Sequence, residues 1–351
     1  MLQELRDIQI KDGAIFTEEW ATPSSFSNDL EALKAVQEGV ALCDSSHWGL
    51  LKLTGEDRGR FLHNQTTNHI GKLKLGEGCN TVFVTSTGRT IDLVTVYVTE
   101  DEILILTSPQ RRQKLMEWMD RYIFPMDRVE LKDISDENAI FTLIGPGSNY
   151  LLQQLRLESL IGQPETSHLL EEIDNYLMRV AVGSGLTLPG YTFIIPTAAA
   201  PQIWSKLRKL GAIPFGNHLW EQLRIQQGRP LPDRELTEDY NPLEAGLWQA
   251  ISFDKGCYIG QETIARLNTY KGVKQRLWGV QLDRAVEPET TVLVEGEKVG
   301  ILTSYTAIAG QPFGLAYVRT KAGGEGLKVQ IGEASGELIS VPFLIHEYYS
   351  H

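Results

Sequence analysis

Cysteine is scarce. The 351 residues hold three, Cys43, Cys79 and Cys257, with no CxxC or CxxxC among them. That spacing excludes a structural zinc knuckle and a self-contained disulfide scaffold, and it suits a reducing compartment. Long apolar runs are absent as well, since no stretch reaches the roughly 20 residues of a membrane span. The opening MLQELRDIQIKDGAIF is charged throughout, with neither the apolar core of a secretory leader nor the Arg-rich, acid-poor make-up of an import sequence. The expectation is a cytoplasmic protein with no membrane partner.

Positive charge is in deficit. Lys and Arg number 33 against 45 Asp and Glu, a net charge of −12, which opposes bulk attraction to nucleic acid or anionic lipid and leaves room only for a local basic groove. No GxSxG elbow, fixed-period repeat, clean βαβ series or RNA-recognition motif is present. No cluster of ligating residues calls for a stable metal. With 42% hydrophobic and 22% charged residues, the chain has the balance of a globular protein and is long enough for two to three domains.

The element signals are mixed, and they predict an α+β fold. Asn28 with Glu31 reads as a capping box opening a helix that stops at Gly39. Gly49 to Leu53 reads as a strand and Arg58 to Asn64 as a helix. Asn80 to Val84, a Ser86-Thr87-Gly88-Arg89 turn and Ile91 to Val98 read as a hairpin. Ser108-Pro109 is expected to open a helix carrying Leu115, Met116, Trp118 and Met119, and helices are expected near Gln202 to Leu210 and His218 to Gln226. Beyond about residue 271 the pattern turns to alternating strands, Arg276 to Leu282, Phe313 to Val318 and Leu327 to Ile331, with a hairpin turn at Glu295 to Gly300. This reads as a small β-barrel or open sheet.

The densest chemical signal is Lys255-Gly256-Cys257-Tyr258-Ile259-Gly260-Gln261-Glu262, followed by Arg266. Two glycines permit close backbone approach, and Gln261 or Glu262 can open a helix. A thiol at such a helix start, beside Lys255, would be drawn toward thiolate; the alternative is a tight turn in which the cysteine only packs. Asp92, beside a turn, can accept a hydrogen bond from a bound amine or simply sit on a hairpin. Arg224 can reach an anionic ligand or pair with an internal acid, and Asn68 can cap a helix. From Lys255 to Arg276 the chain carries five cations and one acid, Glu262, a local reversal of sign suited to a polyglutamyl tail, an acidic partner or tRNA phosphates, or to an ordinary solvated face.

The stretch from Glu221 to Pro230, Asn241-Pro242-Leu243-Glu244-Ala245-Gly246-Leu247, Ile251 to Asp254 and the octet resembles the folate-binding relatives of the glycine-cleavage aminomethyltransferase, the T-protein. The octet looks most like their tRNA-modifying and iron–sulfur assembly branch. The resemblance implies a T-protein-like three-domain body around a central tetrahydrofolate channel with a small C-terminal β-barrel, divided as 1–145 and 146–270 for two interlocked folate-binding subdomains and 271–351 for the barrel. Leu62 to Asn68 and Gly88 to Leu93 are similar to segments lining that channel. The resemblance thus implies Asn68, Asp92, Arg224 and Tyr191 as residues binding tetrahydrofolate or a derivative. Cys257 and Asp92 become the catalytic candidates, within a motif loop of Lys255, Gly256, Cys257, Tyr258, Gly260, Gln261, Glu262 and Arg266.

Two positions depart from the aminomethyltransferase pattern: Leu93 stands where a second acid follows Asp92, and Leu188 where a pterin-pairing Glu precedes Gly-Tyr. On these grounds the glycine-cleavage reaction itself is not expected. The leading expectation is a tetrahydrofolate-dependent accessory protein for iron–sulfur cluster assembly or repair, with client or assembly proteins as partners. The alternatives are a folate-dependent one-carbon transferase or tRNA-modification protein, with weak tRNA contact, and a scaffold that has lost folate.

Overall fold

A computed structural model of the chain describes residues 2–18 and 20–349. In chain order its first strands are β1 Ala41–Asp44, β2 Gly49–Thr54, β3 Gly78–Val84, β4 Thr90–Val98, β5 Ile103–Thr107 and β6 Glu130–Asp133. Then come β7 Asn138–Ile144, β8 His168–Ile173, β9 Tyr176–Val182, β10 Gly190–Pro196 and β11 Ile213–Phe215. The last six are β12 Gln275–Leu282, β13 Thr291–Val294, β14 Glu297–Ile308, β15 Gln311–Arg319, β16 Lys328–Ile331 and β17 Ala334–Ile339. The architecture is the mixed helix-and-sheet one expected, with a closed barrel near the C-terminus.

The chain forms two compact units, each assembled from separated segments. One holds residues 1–61, 70–79 and 95–221, the other 62–69, 80–94 and 222–351. In the first, the sheet β11-β1-β7-β10-β9-β8 is antiparallel except for the parallel pair β1 with β11. Leu42, Phe141, Leu143, Phe193 and Ile195 of this sheet pack with Trp204 and Leu207 of the helix Ala200–Lys209 in one apolar core. That helix has the apolar face and the Pro near its start that its sequence predicts. A second sheet runs β3-β4-β5-β2-β6.

In the second unit the strands close as β12-β15-β14-β13-β16-β17, with β17 returning to β12 through Gly279↔Ile339 and Val280↔Leu338. Closure removes the free edges that an open sheet would expose. Trp278, Val280, Leu302, Val318, Ile331 and Leu338 fill the barrel core. Glu295 and Gly296 both take positive φ, 50° and 84°, so the β13–β14 hairpin turns through two left-handed residues, matching the twist of the strands it joins.

Two local expectations change. Asn28 sits at the N-cap of the helix Asp29–Glu38, but its side chain makes no capping bond; its amide donates instead to the Pro214 carbonyl at 3.0 Å. The helix expected from Ser108-Pro109 begins only at Arg112, because Gln110 takes a left-handed φ of 61° that a right-handed helix cannot contain. Leu115 and Met119 are its buried face. Among the described residues, no helix is long and apolar enough to cross a membrane.

Candidate functional site

The second unit builds its site from the segment after the helix Arg58–Gln65. Thr67 Oγ1 donates to the Ala250 carbonyl at 2.7 Å and accepts the Val82 amide at 3.0 Å. Asn68 Nδ2 donates to the Asn80 carbonyl at 2.8 Å, its amide N–H donates to Thr81 Oγ1 at 2.8 Å, and its Oδ1 accepts the His69 amide at 2.8 Å. Thr66 to Asn68 are therefore laid along β3 by side chains as well as backbone. Asn68 caps no α-helix.

Lys255 is buried, and its ammonium donates to three carbonyls of this segment: His63 at 2.5 Å, Thr66 at 2.6 Å and Asn68 at 2.7 Å. Its Nζ also lies 4.7 Å from the centre of the Tyr258 ring. An ammonium has three N–H donors and no acceptor, so this arrangement directs all three inward. Burial, then the nearby Lys255 charge and His69, pushes His63 down to about 4, so its imidazole is neutral near pH 7.

The octet crosses from that segment to the β3–β4 turn. The Ile259 amide donates to the Asn64 carbonyl at 3.0 Å. Gly260 has φ 80° and precedes the helix Gln261–Thr269; a Cβ there would stand 2.6 Å from the Thr85 carbonyl oxygen and 3.0 Å from the Gly88 Cα. Gly88, at φ 75°, faces it from the turn. Glycine is therefore required at 260 by both conformation and space. Gly256 meets neither demand: it is exposed, and a Cβ added there would have nothing within 4 Å. Tyr258 is buried, which raises its phenol well above the ordinary range. Cys257, Glu262 and Arg266 are exposed, and Gln261 is half-buried. Of the five cations expected to form a basic face, Lys255 points inward and Arg276 lies 5.4 Å from the Tyr348 ring centre, while Arg266, Lys271 and Lys274 face solvent.

Asp92 is fully buried in β4. The strand is tied down just before it: the Thr90 amide donates to the Tyr240 carbonyl at 2.9 Å, and Thr90 Oγ1 to the Thr237 carbonyl at 2.8 Å. Arg89 donates to the Asp239 carbonyl at 2.8 Å and lies 3.7 Å from the Glu244 carboxylate. Glu244 and Asn241 cap each other's backbone, with Asn241 Oδ1 accepting the Glu244 amide at 3.0 Å and Glu244 Oε2 accepting the Asn241 amide at 3.1 Å. Burial raises the Glu244 carboxyl despite these bonds. Leu93 packs in an apolar cluster with Val82, Val84 and Ile264. Neighbouring strand residues point to opposite faces, so Leu93 does not share the face of Asp92.

Arg224, 1% exposed on the helix Asn217–Gln227, pairs with the fully buried Glu235 at 3.0 Å and donates to Ser304 Oγ at 3.0 Å. Glu235 Oε1 accepts from Thr303 and Ser304 at 2.7 and 2.6 Å, and Oε2 accepts the Leu231 amide at 3.1 Å. Of the two partners open to Arg224 in sequence, the internal acid is the one in contact. Glu235 itself escaped the sequence reading, because it sits in an acidic loop with no periodicity to mark it. Tyr191 belongs to the first unit, where its hydroxyl donates to Asn149 Oδ1 at 2.7 Å and burial raises its phenol. Leu188 is half-buried there, in a turn held by Ser184 Oγ donating to its carbonyl at 2.7 Å.

The first unit also contains a cavity of about 460 Å³ that the sequence did not signal, lined by Gln9, Trp20, Asp44, His47, Trp48 and Arg112 among others. Gln9 donates to Asp44 at 2.7 Å. Asn217 donates to Thr22 Oγ1 at 2.9 Å, and the same hydroxyl shares a hydrogen bond with His47 Nδ1, also at 2.9 Å. Burial pushes His47 down to about 3.

These elements define a two-unit α+β protein with a closed six-stranded barrel, a buried carboxylate on β4 and a half-buried carboxamide on the segment laid along β3. Residues 5–255 match the GCVT N-terminal domain family, and the chain belongs to it. It is 46% identical, over 92% of its own length and 76% of the relative's, to a chloroplastic protein of Arabidopsis thaliana named as a transferase. It is 29% identical to the aminomethyltransferase of Halalkalibacterium halodurans, over 82% of this chain and 80% of that one. The crystal structure of the glycine cleavage system aminomethyltransferase T from Bartonella henselae has the same fold, with a TM-score of 0.86 over 99% of both chains at 18% identity.

This finding corrects one expectation. Leu93 and Leu188 do not set the chain outside glycine-cleavage-type activity: the likeness to a named transferase and to an aminomethyltransferase fold runs nearly end to end. Leu93 also packs in the apolar cluster, on the face opposite Asp92, so the acid missing there takes nothing from the face of Asp92.

Proposed function

We propose that the protein is a tetrahydrofolate-dependent transferase of the aminomethyl type, moving a one-carbon unit at the formaldehyde level between tetrahydrofolate and an amine. The observation that carries this reading is Asp92: a fully buried carboxylate on a strand fixed at its start by Thr90 and Arg89, in a chain similar to aminomethyltransferases over most of its length. A reduced pterin and its amines present N–H donors and a carbonyl; a carboxylate supplies acceptors for the N–H groups, and a carboxamide can both donate and accept. Tetrahydrofolate, when bound, supplies the nitrogens that carry the one-carbon unit. Asp92 accepts a hydrogen bond from an amine nitrogen and holds it in place, and Asn68 fixes the adjoining segment. Burial keeps water from competing for the Asp92 carboxylate.

A second reading rests on one observation, the exposure of Cys257 while Cys43 is buried and Cys79 half-buried. In it, the octet serves an iron–sulfur assembly or repair partner, as the resemblance to that branch implies. All three thiols are free, which suits a reducing interior such as the cytoplasm. The two readings separate experimentally. Incubation with methylene-tetrahydrofolate and an amine-bearing acceptor, protein or tRNA, adds one carbon, about 12 Da, if the transferase reading holds, and Asp92→Asn abolishes the gain. No mass change in any acceptor, together with client maturation lost in Cys257→Ala, would replace the transferase reading with the accessory one.

A further inference from the structure

The octet looked in sequence like a device for activating Cys257, yet its two best-anchored residues point elsewhere. Lys255 grips the carbonyls of His63, Thr66 and Asn68, three groups spread over six residues of one segment. Five residues on, Gly260 packs against Thr85 and Gly88, the turn from which β4 leads to Asp92. The Ile259 amide, on the Asn64 carbonyl, ties the middle of the loop to the same segment as Lys255. Cys257 lies exposed between these anchors.

We propose that Lys255 is a positioning residue for the cofactor site: the octet braces the segment bearing Asn68 against the turn leading to Asp92, and the Lys255 ammonium is the clamp at one end. The inference rests on the reading of Asn68 and Asp92 as tetrahydrofolate-binding residues. A point charge with three donors suits three convergent carbonyls, whereas the planar fork of an arginine does not. Truncation of the side chain releases the Asn68 segment while leaving Asp92 and the barrel unchanged, so the loss appears in ligand affinity.

The test uses the full chain and tetrahydrofolate as the probe. Lys255→Ala is expected to raise the Kd at least tenfold, and n-propylammonium, which replaces the missing part of the side chain, to restore it; n-propanol, of similar shape without the charge, is expected not to. If Lys255→Ala does not fold, Lys255→Met keeps the stem against Tyr258 and is expected to show the same weakened binding. A folded Lys255 variant with wild-type affinity, or rescue by propanol as well as by propylammonium, would overturn the proposal. Amide hydrogen exchange over residues 62–69 separates this failure from that of the cofactor reading. If the wild type binds no tetrahydrofolate, the cofactor role of Lys255 falls with that reading. Exchange in Lys255→Ala that is ten times faster and slowed by propylammonium would then leave a clamp without a ligand.

Discussion

Arg224 and Glu235 show how one residue's surroundings decide what it can do. Both are almost completely buried, and every oxygen of the carboxylate is engaged, by Arg224, Thr303, Ser304 and the Leu231 amide. A buried pair contributes little net stability over an apolar replacement, but removing one partner leaves a charge without compensation. Arg224→Met is therefore expected to destabilise the protein by about 3–5 kcal/mol, read from urea unfolding, and Glu235→Gln by a smaller amount because its hydrogen bonds are partly kept. Unchanged stability in Arg224→Met would mean the pair is not formed in solution. The sequence made the Arg visible on a helix but left its partner hidden, since ion pairing across eleven residues and a turn leaves no periodic trace. Asp92 could be read in sequence only as a carboxylate beside a turn, either a ligand or a hairpin-surface acid, and its complete burial came from the fold.

Among the elements, the octet loop and the helix that follows it make opposite demands on two glycines. Gly260 holds a left-handed φ and faces the Thr85 carbonyl, so Gly260→Ala is expected to cost about 1–3 kcal/mol. Gly256 faces open space, and Gly256→Ala is expected to stay within about 0.5 kcal/mol of wild type. Thermal unfolding of the two variants checks the contrast, and equal effects would contradict the packing described for the turn. The sequence showed that the loop was special without showing which glycine mattered, because contact with Gly88 joins segments about 170 residues apart. Longer strands and amphipathic helices were legible from alternation and spacing. The four-residue β1, buried on both faces, has no alternation to read, and β17 carries a glycine at its centre.

Over the whole molecule, four histidines share one electrostatic property. Burial lowers His47 to about 3 and His63, His168 and His346 to about 4, each from an ordinary 6.5. Below pH 6.5 the unfolded chain takes up protons that the folded one refuses, so stability falls as the pH drops from 6.5 toward 4. Asp44 and Glu244, whose carboxyls are raised by burial, act in the other direction and offset part of the loss. The urea midpoint is expected to decline steadily between pH 6.5 and 4. His346→Gln, which can still donate to the Leu277 carbonyl, should make that decline shallower, and an unchanged slope would show that His346 does not titrate as its burial implies. None of this was visible in sequence, where the seven histidines are scattered and only packing reveals which are partly withdrawn from water. The closed barrel, by contrast, was foreshadowed by its alternating strands and turns.

The most direct measurement is an anaerobic calorimetric titration of the full chain with tetrahydrofolate, wild type beside Asp92→Asn. The transferase account predicts saturable binding at one site, weakened at least tenfold in the variant while its unfolding transition stays in place. No saturable heat with the wild type, or equal affinity in the two proteins, would contradict it.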